Sequence, residues 1–182
     1  LIAYAKANPG KINSAFSGVG AAGHLATELF RSVVGINIVH VPYRGSGPAS
    51  QAVMAGEAQM QFGSVPASMP FVRANRLIAL ATTSPRRLEL APEVPTLAEG
   101  GVTGVDARSW YAILTASGTP QPVIAKLTET LAKVQALPDF RDQLSRQAIE
   151  AQNVSRQEFA AFLKVETEKW GKVVKAAGIK ME

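Results

Sequence analysis

Asn37-Ile38-Val39-His40-Val41-Pro42-Tyr43-Arg44-Gly45-Ser46-Gly47-Pro48-Ala49 is the stretch whose reading decides the fold. It reads as a short apolar strand, a glycine-bracketed turn carrying Tyr43, Arg44 and Ser46, and a helix opened by Pro48. Proline suits the first helical position, where its missing N–H would be unpaired in any case. A strand that empties into a helix aims several unpaired backbone N–H groups at one point, with the positive end of the helix dipole behind them. Anions settle at such places. Arg44 and Ser46 add a cation and a hydroxyl, so the turn suits a carboxylate or a phosphate. It contains no nucleophile paired with a base, which predicts binding and not catalysis.

The same strand-to-helix pattern recurs on either side. Ile12 to Phe16 reads as a strand and runs into Ser17-Gly18-Val19-Gly20-Ala21-Ala22-Gly23-His24. The helix that follows carries Ala22, Leu25, Ala26, Leu29 and Val33 as its buried stripe. His24, Glu28 and Arg31 fall on the opposite, polar side, and Gly35 ends the helix. Gln59 to Phe62 is a third strand, Gly63-Ser64-Val65-Pro66 opens a third helix, and Leu77 to Ala81 is a fourth, apolar strand. Such alternation with short loops predicts an α/β fold, a mainly parallel sheet flanked by helices.

The remainder is uneven. Leu1 to Asn8 looks like the end of a helix closed by Pro9-Gly10, so the chain is expected to begin inside an element. Ser84 to Pro95 is Pro-rich, and Thr96-Leu97-Ala98-Glu99 has capping-box spacing for a short helix stopped by Gly100-Gly101. Ser109 to Leu114 reads as a fifth strand. Only helices follow: one from Thr119-Pro120 with Val123, Ile124, Leu127, Leu131 and Val134 on a stripe, one from Pro138 to about Arg146, and one capped by Ser155 and Glu158 and ended by Gly178. One strand among helices cannot bury both faces alone, so its sheet partners are expected elsewhere in a longer protein.

Composition removes several function classes. Hydrophobic residues are 47% and charged ones 18% of the 182, a globular balance with no mark of disorder. The net charge of +5 comes from scattered residues, with Arg86-Arg87 the only adjacent basic pair, so no nucleic-acid partner is expected. The absence of cysteine excludes disulfides, thiol catalysis and cysteine metal sites. No apolar run approaches the roughly 18–20 residues of a membrane span.

Three motifs carry chemistry. Gly18-x-Gly20-x-x-Gly23 has the spacing of a dinucleotide fingerprint, but that fingerprint needs an acid at the end of the next strand to hold the ribose. His40-Val41-Pro42-Tyr43-Arg44 offers none; Arg44 would suit only a 2′-phosphate, and no cofactor is expected. A small carboxylate uses the same backbone geometry with fewer demands. His24 and His40, the only histidines, lie in different elements with no acidic cluster in sequence beside either, so no metal site is expected. His40 reads as a satisfied interior residue. His24 reads either as a residue lining the site or as a surface residue of the polar helix face. Ser17, Ser46 and Ser64 stand at successive strand ends, where a hydroxyl caps a helix or touches ligand. Three such junctions line one carboxyl edge of a parallel sheet, where ligands of open α/β sheets bind. Trp110 and Tyr111 read as core aromatics in preference to a hinge contact.

At these residues the chain resembles a known family. Val41-Pro42-Tyr43-Arg44-Gly45-Ser46-Gly47-Pro48-Ala49 is similar to the V-P-Y-(K/R)-G-x-x-P-A stretch of the Bug/TctC proteins, extracytoplasmic solute receptors of tripartite tricarboxylate transport systems. The likeness continues through the glycine loop ending His24-Leu25-Ala26, Glu93 to Glu99, Ser109-Trp110-Tyr111, Gly118-Thr119-Pro120, Glu158-Phe159 and Lys169-Trp170-Gly171. It implies a type II periplasmic binding protein of two α/β lobes. A small carboxylated ligand (a di- or tricarboxylate, or an amino acid) would be held largely by backbone N–H groups and handed to membrane transporter subunits, in the periplasm and without catalysis. Carried over, Ser17, Gly18, Val19, Gly20, Ala21 and His24, then Tyr43, Arg44, Gly45 and Ser46, would form the second lobe's half of the site, with Gly63 and Ser64 at the third junction.

The resemblance also implies a division. Residues 1–10 would close a helix coming from the first lobe, residues 11–105 would be a complete second lobe, and residues 106–182 would return to a first lobe left incomplete. Such receptors run to about 300 residues. One departure is Ala21-Ala22-Gly23, where many members carry Thr or Ser, so hydroxyl contacts are lost there. Helices made to cover an absent sheet expose an association surface, and a dimer through the C-terminal helices is expected. Two other functions share these features: an effector-binding domain of a transcriptional regulator, and an enzyme acting on a phosphorylated small molecule.

Overall fold

The computed structural model describes residues 1–179. Its elements in order are α1 (Ile2–Ala7), β1 (Asn13–Phe16), α2 (Ala22–Val34), β2 (Val39–Pro42), α3 (Ser46–Met54), β3 (Met60–Gln61), α4 (Val65–Arg73), α5 (Gln121–Gln135), α6 (Pro138–Arg146) and α7 (Arg156–Ala177). The three strands form one parallel sheet in the order β2-β1-β3. β1 is central because Ser14, Ala15 and Phe16 are all buried, as a strand covered on both faces requires.

Small residues let helices approach that strand closely. Successive side chains of β1 point to opposite faces. Ser14, at 0% exposure, meets Thr27 of α2 hydroxyl to hydroxyl at 3.1 Å, and Thr27 donates onward to the Gly23 carbonyl at 2.8 Å. Ala15 packs with Ala49 of α3 and with Ala58. A larger cluster joins Ile12, Phe30, Ile36, Ile38, Met60 and Val105 to Ala5 of α1, so the sheet, α1 and residues up to 105 share a core. Gly35 ends α2 in the left-handed conformation (φ 67°), as read from the sequence. The Ser155–Glu158 capping box of α7 is fully formed.

The structure corrects several expectations. Leu77–Ala81 forms no ladder: Ile78 and Leu80 are 86% and 59% exposed, and the adjoining Thr82 makes an isolated bridge, to Thr96. Ser109–Leu114 is likewise unpaired, with Tyr111, Ile113 and Leu114 all more than 70% exposed. Apolar, β-branched composition makes a segment ready to pair, but a ladder needs a neighbour's backbone, and none lies alongside either segment among the described residues. Thr96 and Glu99 make both reciprocal capping bonds, yet Gly100-Gly101 follow at once and the segment is a single turn. α3 begins at Ser46 behind Gly45 (φ 111°), two residues before Pro48, which therefore occupies the third helical position. Trp110 and Tyr111 are exposed, not core.

No residue of α5 or α6 is buried, and Glu166 alone is buried in α7. Polar and aromatic contacts tie α7 to the rest: Trp110 donates its indole N–H to Glu166 Oε2 at 3.3 Å, beside the Trp170 N–H of α7 itself at 3.0 Å, and Lys169 Nζ donates to the Asp106 carbonyl at 3.1 Å. Phe159 and Phe162 pack edge-on against Trp110. Among the described residues no helix is long and apolar enough to cross a membrane.

Candidate functional site

The parallel order β2-β1-β3 carries three junctions to one edge of the sheet. Ser17–Ala21 leaves β1, Tyr43–Gly45 leaves β2, and residues 62–64 leave β3; the next residues begin α2, α3 and α4. Tyr43 N–H donates to the Phe16 carbonyl at 2.8 Å, so the first two junctions are tied together at their roots. None of the three helices has a side-chain cap: Ala21, Gly45 and Ser64 stand at the N-caps without a cap hydrogen bond. The serines at these junctions therefore do not serve as caps. The first-turn N–H groups of α2, α3 and α4 have no intrahelical acceptor, and three positive dipole ends face one edge.

Ser17, Val19, Arg44, Ser46, Gly63 and Ser64 are exposed, and Gly18, Gly20, Ala21, Tyr43 and Gly45 are half-buried. Arg44 has no carboxylate within ion-pair reach among the described residues. Gly18 and Gly20 have φ of +139° and +77°, angles that hold the loop in a shape side chains disfavour. A groove of about 380 Å³ borders the start of α2, between Ala22 and Leu25 on one wall and Arg108, Trp110, Tyr111 and Trp170 on the other. Arg108 is not idle there: it forks onto Asp106 at 2.8 and 2.7 Å, which holds the Asp106 carboxyl below the ordinary range.

His24 and Glu28 depart most from the sequence reading. Both were expected on the polar face of α2; both are 7% exposed. β2 supplies the reason, because His40, opposite Ser14 in register, projects onto that face and makes it interior. Glu28 Oε1 lies 2.9 Å from His40 Nε2 and 4.0 Å from His24 Nε2, while Arg31 binds Oε2 through Nε at 3.0 Å and Nη2 at 2.8 Å. His24 stacks on Phe16 at 4.4 Å and meets His40 edge-on at 5.1 Å. His40 Nε2 and Glu28 Oε1 make an ion-pair contact without a hydrogen bond, and both His40 ring nitrogens are closed to solvent with no hydrogen-bond partner. His40 is thus interior but not satisfied. Burial holds both histidines below the ordinary imidazole value, against the opposing pull of Glu28.

His24, Glu28 and His40 bring their donor atoms within 4.8 Å of one another, so the expectation that the histidines stay apart is overturned. These are cation-ligand residue types, but two of the three, Glu28 and His24, are already engaged. Arg31 already neutralises Glu28. The Gly20 N–H donates to His24 Nδ1 at 3.1 Å, which leaves the proton of the neutral ring on Nε2. The cluster reads as an internal polar network. Because both histidines are easier to protonate in the unfolded chain, stability is complete above the unfolded value of 6.5 and is lost as the pH falls below it. Urea unfolding at pH 7.5 and pH 5.5 is expected to show this, with a slope of up to about 1.4 kcal/mol per pH unit for each histidine. A stability that is flat above pH 5 would contradict it.

The fold is that of a lobe of the type II periplasmic binding proteins, and the whole described chain matches one class of these. The family pattern of the tripartite tricarboxylate transporter family receptor, TctC, matches residues 1–179, and the chain belongs to that family. A UPF0065 protein of the tcbD-tcbE intergenic region of Pseudomonas sp. (strain P51) is 35% identical over 96% of this chain and 52% of its own length. Among solved structures, R. palustris Rpa4515 with adipate superposes with a TM-score of 0.83 at 32% identity, over 98% of this chain and 60% of that one. The periplasmic binding protein BugD superposes with a TM-score of 0.76 at 26% identity, over 100% of this chain and 61% of that one. The chain therefore spans about half the length of the curated relative and three fifths of these structures.

Proposed function

We propose that this chain supplies one lobe and part of a second in a periplasmic receptor that binds a small carboxylated solute for a tripartite tricarboxylate-type transporter. It performs no catalysis. The observation that carries this reading is the convergence of three uncapped helix N-termini on one sheet edge, with Arg44 beside them. That edge is rich in donors and has no general base at its surface, which suits holding an anion and not transforming it. The solute contacts would come from Ser17 to Ala21, from Tyr43 to Ser46, and from Gly63 and Ser64. A dicarboxylate is the favoured class, since the Rpa4515 structure was obtained with adipate.

In this reading residues 11–105 are the lobe that carries the edge, and residues 106–182 belong to the facing lobe. Leu77–Ala81 and Ser109–Leu114 would then pair with strands of a longer chain, which accounts for their exposed apolar side chains. Thermal-shift titration with adipate, other di- and tricarboxylates and an aliphatic monoamine tests the binding. Saturating stabilisation by a carboxylate class and none by the amine is expected. Arg44→Ala should weaken that response roughly tenfold, about the worth of one charge-assisted hydrogen bond at an exposed site. No response to any carboxylate, together with a response to phosphorylated compounds, would transfer the edge to the phosphate reading. By itself the chain is expected to self-associate through the uncovered stripe of α5, where Val123 and Leu127 are each 47% exposed. Sedimentation showing one monomeric species at all concentrations would refute that.

A further inference from the structure

Most of the polar groups at this edge face outward, but one buried ring reaches the glycine loop from beneath. His24 is the third residue of α2, and its side chain turns back past the N-cap to Gly20. A helix's third side chain commonly returns to the N-cap N–H; here it reaches one residue further and takes an N–H of the loop itself. Ala21 N–H is also consumed within the loop, by the Gly18 carbonyl at 3.1 Å. The loop therefore turns two donors inward, and what remains for a solute is the first turn of α2 and the outer loop. Whether the Gly20 N–H turns in or out depends on one lone pair, that of His24 Nδ1.

We infer that His24 is a positioning residue of the solute site, and that the glycine loop keeps its binding shape only while His24 Nδ1 is unprotonated. The inference rests on the reading of the three junctions as a solute half-site. A proton on Nδ1 would set N–H against the Gly20 N–H across 3.1 Å, and the loop would have to open. The surroundings limit the ring's escape. Phe16 of β1 stacks on its face, and Gly23 of the same turn lies against the Phe62 carbonyl. The charged and titratable groups facing it are Glu28 and Arg31 from α2 and His40 from β2; α7, which also packs on α2, forms no ion pair with them among the described residues. Burial disfavours a protonated His24 and Glu28 favours it; at His40 burial is joined by His24 and Arg31 against a positive charge, with Glu28 again opposing. The lowered affinity of His24 for protons keeps the loop closed at neutral pH and places its opening on the acid side.

Two variants separate positioning from a merely structural role. Asn at position 24 offers an acceptor near the Nδ1 position and does not titrate; Leu offers none. In His24→Leu at pH 7.5, the Gly20 amide should exchange with solvent at least tenfold faster than in the unsubstituted chain, as read by NMR. In the unsubstituted chain its chemical shift should follow the His24 Cε1–H titration from pH 8 to pH 5, and in His24→Asn it should show no midpoint in that range. The dissociation constant for adipate should rise tenfold or more between pH 7.5 and pH 5 in the unsubstituted chain. In His24→Asn, which reports protonation of adipate itself, it should rise less than threefold. A Gly20 amide indifferent to His24→Leu would overturn the inference, as would equal pH dependence of adipate binding in His24→Asn. If adipate and other dicarboxylates fail to bind at any pH while the Gly20 amide still follows the ring, the link to binding is overturned together with the solute-site reading. The hold of His24 on the loop would then stand alone.

Discussion

Glu28→Ala is expected to cost about 2–4 kcal/mol of folding stability. The Glu28 side chain is 8% exposed and is the one carboxylate shared by Arg31, His40 and His24. Its removal leaves a guanidinium and two imidazoles facing each other with no counter-charge. Breaking a fully buried pair costs about 3–5 kcal/mol; Arg31 retains 35% exposure and regains some hydration, which lowers the figure. For a chain of this size the loss corresponds to a fall of roughly 5–12 °C in Tm. Glu28→Gln keeps the volume and an acceptor and should lose less. Urea melts of the three proteins at pH 7.5 decide it, and a loss below about 0.5 kcal/mol for Glu28→Ala would mean that water already reaches the cluster.

Gly23→Ala should destabilise by about 1–3 kcal/mol and abolish any carboxylate response at the same time. A Cβ at position 23 would stand 2.7 Å from the Phe62 carbonyl oxygen, an atom of the backbone just beyond β3 that no rotamer change can move aside. Helix propensity opposes this, since Ala is favoured over Gly by about 1 kcal/mol inside a helix. The contact wins, because relief requires the start of α2 to move off the sheet, carrying with it Gly20, His24 and the junction between them. Gly47→Ala is the control: it lies in α3, nothing is within 4 Å of its Cβ, and its φ is not positive. It should be neutral or stabilising by up to about 1 kcal/mol. Equal melting temperatures for the two alanine variants would show that the close approach at Gly23 is not limiting.

Glu28 and Gly23 each carry a sequence signal whose plain meaning differs from their role in the fold. Gly23 closes a fingerprint spacing, and its requirement is helix-to-strand proximity, with no nucleotide needed. Glu28 and His24 stand at helical positions that alternate with the apolar stripe, and on that ground they belong to a solvated face. The periodicity of one helix cannot show that a neighbouring strand will lay a histidine against its polar side.

The local elements were legible because their causes are local. Glycine at position 35 ends α2, Ser155 and Glu158 start α7, and Pro138 opens α6, each through bonds or angles made within a few residues. Alternation of strand and helix was enough to predict a parallel sheet, and the glycine-bracketed turns were enough to place three strand-to-helix junctions on its edge. What only the tertiary structure decided is which apolar segments find partners and which polar residues find each other. Leu77–Ala81 and Ser109–Leu114 have strand composition and no ladder, because pairing is a property of two backbones. His24 and His40 are 16 residues apart by their numbers and become neighbours only because β1 and β2 pair in the register that sets His40 opposite Ser14, beneath α2. Sequence fixes what each segment can offer; the register of the sheet and the packing of α2 onto it determine what each offer meets.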